Sequence, residues 1–140
     1  MLYHRTVRII ITRYQSTLIM PKLASFLSSL QNLHTLQVFR AHTQMTTAIK
    51  KGFQGVVLPE IRTLIIPGHC HEILRCCPLV TKVWCNYDDG GKLVTVIAKH
   101  CKEVQEMRGF LADEKLIKSA LNNKRVVRLF CFLTRFFRNY

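Results

Sequence analysis

The chain repeats one apolar pattern, in which apolar residues follow one another at spacings of three, three and two positions. The last two positions of each copy alternate with polar residues, which predicts a short β-strand with one buried side. The first copy is weak, and the last departs from the pattern at its opening position. In chain order the copies are His4-Val7-Ile10-Thr12, Leu30-Leu33-Leu36-Val38, Leu58-Ile61-Leu64-Ile66, Cys77-Val80-Val83-Cys85, Cys101-Val104-Met107-Gly109 and Asn123-Val126-Leu129-Cys131.

Between the copies the apolar period becomes helical, and Pro21 suits the first turn of the first predicted helix. Each unit is therefore predicted to be a strand, a turn and a helix. Units about 19 to 28 residues apart predict an α/β leucine-rich-repeat solenoid, with a short parallel sheet on the concave face and helices on the convex face. An ordinary α/β domain is the alternative. The predicted helical stripes are Leu23, Phe26, Leu27 and Leu30; Met45, Ala48, Ile49 and Phe53; Leu93, Val96, Ile97 and Cys101; and Leu116, Ile117, Ala120 and Leu121.

Three of the copies carry a family resemblance. The phrase Cys77-Pro78-Leu79-Val80-Thr81-Lys82-Val83 resembles the C-P-x-L-x-x-L motif of the cysteine-containing leucine-rich repeats of F-box proteins, and the copies that start at Leu58 and Cys101 look like sister versions. The stretch from about Leu23 to Phe110 is similar to the repeat region of fungal F-box-like proteins. The resemblance implies the substrate-recognition part of an F-box-type ubiquitin ligase subunit. The chain departs from that family three residues after each strand, where the expected Asn or Cys is replaced by Ala41, His69, Asp88 and Ala112.

We expect one domain over residues 1–140, with the clearest repeats in 23–110, a weak N-terminal repeat in 1–20 and a basic aromatic tail in 124–140. Neither end resembles the polar capping repeat that a solenoid needs, so we expect a fragment of a longer repeat protein. The F-box segment is not among these residues. A Skp-type adaptor is therefore expected as a partner only if an F-box lies upstream, and the expected partner is otherwise an unknown protein.

The net charge of +13 is concentrated at the two ends of the sequence. Residues 1–59 hold seven Lys or Arg and no acid, residues 60–123 are almost neutral, and residues 124–140 hold five Lys or Arg and no acid. Because nucleic-acid-binding domains gather their basic residues on one face, we do not expect nucleic-acid binding. A membrane span and a secretory signal are also not expected. A basic nucleic-acid-binding module or a cationic membrane-surface effector is kept as the alternative function.

Six cysteines occur without a C-x-x-C pair, and four of them occupy apolar positions of the pattern. We predict buried thiols, with neither a metal nor a disulfide, in a reducing compartment that is cytoplasmic or nuclear. The segment Asp88-Asp89-Gly90-Gly91 predicts a turn rather than a metal loop. No motif of a hydrolase, a nucleotide-binding loop or a metalloprotease is present. We therefore predict a binding protein without a cofactor, and not an enzyme.

The candidate partner-binding surface is the concave sheet face, centred on the single tryptophan, Trp84. Residues between the apolar strand positions point away from the core, because side chains alternate along a strand. Tryptophan and arginine are the residue types that dominate protein-binding hot spots. The alternative is that Trp84 only shields a neighbouring strand from water. The predicted site residues are Trp84, Ile65, Arg108, Lys82, Gln37 and Glu106.

Overall fold

The computed structural model describes residues 5–12, 18–123 and 125–132, with Phe132 described through its backbone alone. Over these residues six strands alternate with five helices along the chain. Two short 3-10 turns, Thr43–Met45 and Gly68–Cys70, lead into the second and third helices. In chain order the elements are β1 (Arg5–Ile11), α1 (Ile19–Ser29), β2 (Leu33–Ala41), α2 (Thr46–Gly52), β3 (Thr63–Ile66), α3 (His71–Leu74), β4 (Lys82–Cys85), α4 (Gly91–His100), β5 (Glu106–Leu111), α5 (Glu114–Asn122) and β6 (Arg128–Phe132).

The strands form one open sheet in which every strand is parallel to its neighbours and follows the order of the sequence. Strands β1 and β6 are the two edges. Each helix packs against the next one along the chain, so the helices form a row beside the sheet. The prediction of an α/β fold with a parallel sheet and helices is confirmed at this level.

The register of the sheet places the repeated apolar positions side by side. Leu36 lies opposite Leu64, and Leu64 lies opposite Val83, on neighbouring strands. All three side chains are completely buried, and they belong to one continuous hydrophobic core with the inward residues of the helices. Residues at the alternating strand positions are half-buried or exposed, except Glu106, which is buried. The sheet therefore has one side packed against helices and one open side.

Two copies of the pattern meet the core differently from the prediction. In β1 the inward positions belong to Val7, Ile9 and Ile11, and Ile10 is exposed, because the strand alternates strictly from Val7 onward. Thr12, the last position predicted for this copy, is exposed, and His4, its first position, lies outside the described residues. In β5 the last apolar position is not Gly109 but the fully buried Phe110.

Gly109 shifts that position because it forms a bulge between Arg108 and Phe110 in the pairing with β6. Its φ is +77°, in the left-handed region that favours glycine. A β-carbon at this position would also overlap the carbonyl oxygen of Cys85 on the neighbouring strand. The residue that breaks the apolar pattern is therefore required by the backbone.

The helical stripes were predicted well in the middle of the chain and less well at its ends. The stripes of α2 and α4 are buried as expected. In α1, Phe26 is exposed, while Met20 and Ala24 face the core. Gly52 of α2 packs so closely against Met20 that a β-carbon at position 52 would overlap it. In α5 only Leu116 of the predicted stripe is buried. Because α5 packs against α4 and has no next helix among the described residues, the remaining stripe residues keep part or most of their exposure.

In the turns that follow β3 and β4, side chains form hydrogen bonds with backbone groups. The ring nitrogen Nε2 of His69 lies 2.9 Å from the carbonyl oxygen of Ala41 in the preceding unit. The Oδ1 atom of Asp88 accepts a hydrogen bond of 2.8 Å from the backbone N–H of Gly90, just before α4 begins. The turn predicted for Asp88 to Gly91 is confirmed. His69 and Asp88, which stand where Asn or Cys is expected, therefore still form side-chain hydrogen bonds with the main chain.

The predicted basic tail is described only as far as Phe132, and residues 133–140 lie outside the described residues. Within the part of the chain that the structure covers, no helix is long and apolar enough to cross a membrane.

Candidate functional site

The outward residues of the strands form two adjacent rows across the sheet, which we call the open face. The first row follows the register from β1 to β6, and the second row lies one pleat closer to the amino ends of the strands. All six predicted site residues belong to these rows, so the fold brings them onto one surface. The first row is Arg8, Gln37, Ile65, Trp84, Arg108 and Phe130, and the second is Thr35, Thr63, Lys82, Glu106 and Arg128.

A stacked arrangement of two aromatic rings and one guanidinium dominates the first row. The Cζ atom of Arg108 lies 4.7 Å from the ring centre of Trp84 and 4.3 Å from the ring centre of Phe130. This follows from the register, because Arg108 is on β5, between Trp84 on β4 and Phe130 on β6. Both distances are within the range of attractive cation–π contacts. The stack holds a flexible arginine side chain in a defined place on the surface.

The carboxylate of Glu106 supports this stack from the neighbouring row. The indole Nε1 of Trp84 donates a hydrogen bond of 3.3 Å to its Oε2, and the Nη2 of Arg108 donates one of 3.3 Å to its Oε1. The Nη1 of Arg128 is 3.9 Å from the same Oε1. Glu106 is only 3% exposed. It was predicted as a contact residue, and the structure places it beneath the surface, where it orients Trp84 and Arg108.

The environment of Glu106 holds its pKa below the usual value for glutamate. Burial by itself raises the pKa, but the hydrogen bonds from Trp84 and Arg108 and the positive charges of Arg108 and Lys82 outweigh that effect. The cover over Glu106 comes from these neighbouring side chains rather than from depth in the core. The carboxylate is therefore ionised at neutral pH and remains attached to its cationic partners.

The other predicted residues extend the open face in both directions. Lys82 is exposed and sits directly opposite Glu106. Ile65 is half-buried between Gln37 and Trp84 in the first row. The Oε1 of Gln37 accepts a hydrogen bond of 3.1 Å from the Nε of Arg8. The face thus changes from uncharged over β2 and β3, where Ile65 is the apolar residue of the two rows, to cationic and aromatic over β4 to β6.

The six predicted site residues do not include Phe130 and Arg128, although the repeated pattern assigns both to outward strand positions. Both belong to the segment interpreted as a basic aromatic tail, yet they pair with β5 and complete the two rows. The signal was present in the sequence, because both residues fall in the outward positions of the last copy of the pattern. Their part in the stack with Arg108 and the ion pairs of Glu106 depends on side-chain conformations, which periodicity does not specify.

The cysteines lie apart from the open face, on the core side of the fold. Cys70, Cys76, Cys77, Cys85 and Cys101 are buried as predicted, and Cys131 is half-buried because it lies on the edge strand β6. Burial, with a smaller effect of nearby acidic side chains, raises the pKa of Cys70 to about 12 and that of Cys76 to about 11. These thiols stay protonated and are poor nucleophiles.

No group of three or more His, Cys, Asp or Glu side chains in the described part of the chain is arranged to hold a metal ion. The open face offers aromatic area, cationic hydrogen-bond donors and the apolar side chain of Ile65.

The chain matches no protein-family model, and neither the curated proteins nor the solved structures give a match. Its function is therefore inferred from its own residues and geometry.

Proposed function

We propose that the chain is a protein-recognition module of the leucine-rich-repeat type, and that the open face is its binding surface. The architecture is supported by the strand order, which follows the sequence, and by helices that each pack on the next. Repeat modules of this kind use an extended sheet face to contact other proteins. The resemblance to F-box-like repeats supports a ubiquitin-ligase substrate as the class of partner.

One observation carries the proposal: the stack of Trp84, Arg108 and Phe130, braced by the Glu106 carboxylate. A residue that only shielded a strand would need neither a cationic neighbour nor a hydrogen-bonded anchor. Tryptophan and arginine held in a fixed conformation lose little entropy when a partner binds, and this favours affinity. The stack is therefore suited to a partner that buries both side chains at once.

Selection from a phage-displayed library of short random peptides tests this function, with the purified full chain as the target. We expect peptides that bind the wild-type chain and lose binding to the Trp84→Ala variant. The matched control is Phe26→Ala, which removes an exposed aromatic ring from α1 on the helical side. This variant should retain binding.

Circular dichroism and urea unfolding of both variants must accompany the selection. If Trp84→Ala folds and binds every selected peptide as well as the wild type does, then Trp84 is structural and the open face is not the binding surface. If the library yields no binder at all, the proposed function fails as well.

A further inference from the structure

We infer that the open face recognises an acidic peptide, through a carboxylate side chain that binds Arg108, with Lys82 and Arg128 beside it. This inference rests on the proposed function and adds the chemical class of the partner. The three cations lie on neighbouring strands, two of them in the second row and one in the first. These residues are far apart in the sequence, and the pairing of β4, β5 and β6 brings them together.

Charge complementarity points to an anionic partner. Among the described residues of the two rows, the only acidic side chain is Glu106, which is buried and already paired with its cationic neighbours. The side chains of Arg108 and Arg128 remain 43% and 65% exposed. One carboxylate is thus surrounded by three cations, so this end of the open face keeps an excess of positive charge.

Arg108 is the part of this cluster prepared for a carboxylate. Its guanidinium lies between two rings, and Nη2 makes the hydrogen bond to Glu106. Nε is buried and has no hydrogen-bond partner among the described residues, so Nη1 is the donor that we assign to a ligand. A planar guanidinium can donate to a carboxylate with a geometry that an ammonium group does not reproduce. Ile65 lies two strands from Arg108, on the other side of Trp84, and offers an apolar contact for another residue of the peptide.

The same features favour a peptide over a nucleic acid. Nucleic-acid strands bind through stacking of bases on open aromatic faces and through cations along the whole backbone. Here the Trp84 and Phe130 faces that point toward Arg108 are covered by its guanidinium. In the first row, Arg8 and Arg108 are separated by four strand spacings, about 19 Å, and no cation stands between them.

The test uses the peptides selected on the wild-type chain, each synthesised in two forms, one with its Asp and Glu residues and one with Asn and Gln instead. Fluorescence anisotropy of the labelled peptides measures both affinities. We expect the acidic form to bind at least about tenfold more tightly, as for a hydrogen bond between charged groups. We also expect its affinity to fall as salt is added.

Variants of the exposed cations identify where the carboxylate binds. Arg128→Gln and Lys82→Gln should each weaken the acidic form by about two- to fivefold while leaving the amide form unchanged. Arg108→Lys keeps the charge, and it should still reduce the preference for the acidic form because the planar donor is lost. The matched control is Lys118→Gln on α5, which removes an exposed positive charge from the helical side and should change neither affinity.

Three other results would each overturn the inference, and each would point to a different error. If the selected peptides bind the open face equally well in both forms, the preference for acid is wrong while the proposed function stands. If a single-stranded oligouridine displaces the peptides and binds more tightly than they do, the partner class is nucleic acid. If no peptide binds at the open face, the inference falls together with the proposed function.

Discussion

Replacing Glu106 with glutamine should destabilise the fold, and the loss should depend on pH. The variant Glu106→Gln has the same shape and keeps one oxygen to accept hydrogen bonds, but it removes the negative charge beneath Trp84 and Arg108. Hydrogen bonds to a charged group stabilise a fold by about 1.5–3 kcal/mol. Because Arg108 is 43% exposed, solvent screens part of this. We therefore expect a loss of about 1–2 kcal/mol in the free energy of unfolding at neutral pH.

The pH dependence follows from the lowered pKa of Glu106 in the folded state. A carboxyl group whose folded pKa is depressed stabilises the fold fully above its unfolded pKa, about 4.3 for glutamate, and loses that stabilisation as the pH falls through the folded value. Wild type and variant should therefore differ by a constant amount from neutral pH down to about pH 6, and the difference should then shrink in acid.

Urea unfolding followed by circular dichroism, repeated over a series of pH values, measures both effects. The control is Glu114→Gln, since Glu114 forms an ion pair of 2.9 Å with Lys118 in which the two side chains are 83% and 69% exposed. That substitution should change stability by less than about 0.5 kcal/mol. A Glu106→Gln variant as stable as the wild type at neutral pH, or a difference that persists undiminished in acid, would refute the supporting role of Glu106.

Three further substitutions or modifications test the packing of the fold. Leu64→Ala should cost about 2–5 kcal/mol in urea unfolding, because Leu64 is completely buried between two strands and its cavity cannot close; a cost below about 1 kcal/mol would contradict this. Gly109→Ala should destabilise the fold by more than about 2 kcal/mol. Gly55 has a similar φ of +75° but open space around it, so Gly55→Ala should destabilise the fold by only about 1 kcal/mol. Equal losses would contradict the overlap of a residue-109 side chain with the neighbouring strand. In thiol titration of the native chain with an aromatic disulfide, Cys131 should react first and Cys77 only after unfolding. Cys77 is deeply buried, and its pKa is raised by burial and by its thiol neighbours. Rapid reaction of Cys77 in the native chain would contradict its burial.

The apolar pattern was sufficient to predict the strands and the open face. Strand side chains alternate, so finding Leu64 in an apolar position placed Ile65 and Thr63 on the other side, and the register then aligned these columns across the sheet. The prediction was weakest at the ends of the chain. The first copy was predicted one residue out of register. Ile10 was expected to face the core, whereas the alternation along β1 turns Val7, Ile9 and Ile11 inward.

The site itself could be predicted only in part. Position along a strand indicated that Trp84, Arg108 and Glu106 share a face, but not that Glu106 would be buried and the other two half-buried. That outcome depends on how an indole, a guanidinium and a carboxylate arrange themselves on adjacent strands. The bulge at Gly109 likewise depends on the close approach of Cys85, which no pattern within β5 reveals.

Nuclear magnetic resonance mapping of a selected peptide on the isotope-labelled full chain tests the open face most directly as a binding surface. As peptide is added, we predict that the largest shifts occur at the backbone amides of β3 to β6 and at the indole N–H of Trp84. The amides of α1 to α5 on the other side of the sheet should change little. Shifts centred on the helices, with the Trp84 indole unchanged, would contradict the open face as the site of recognition.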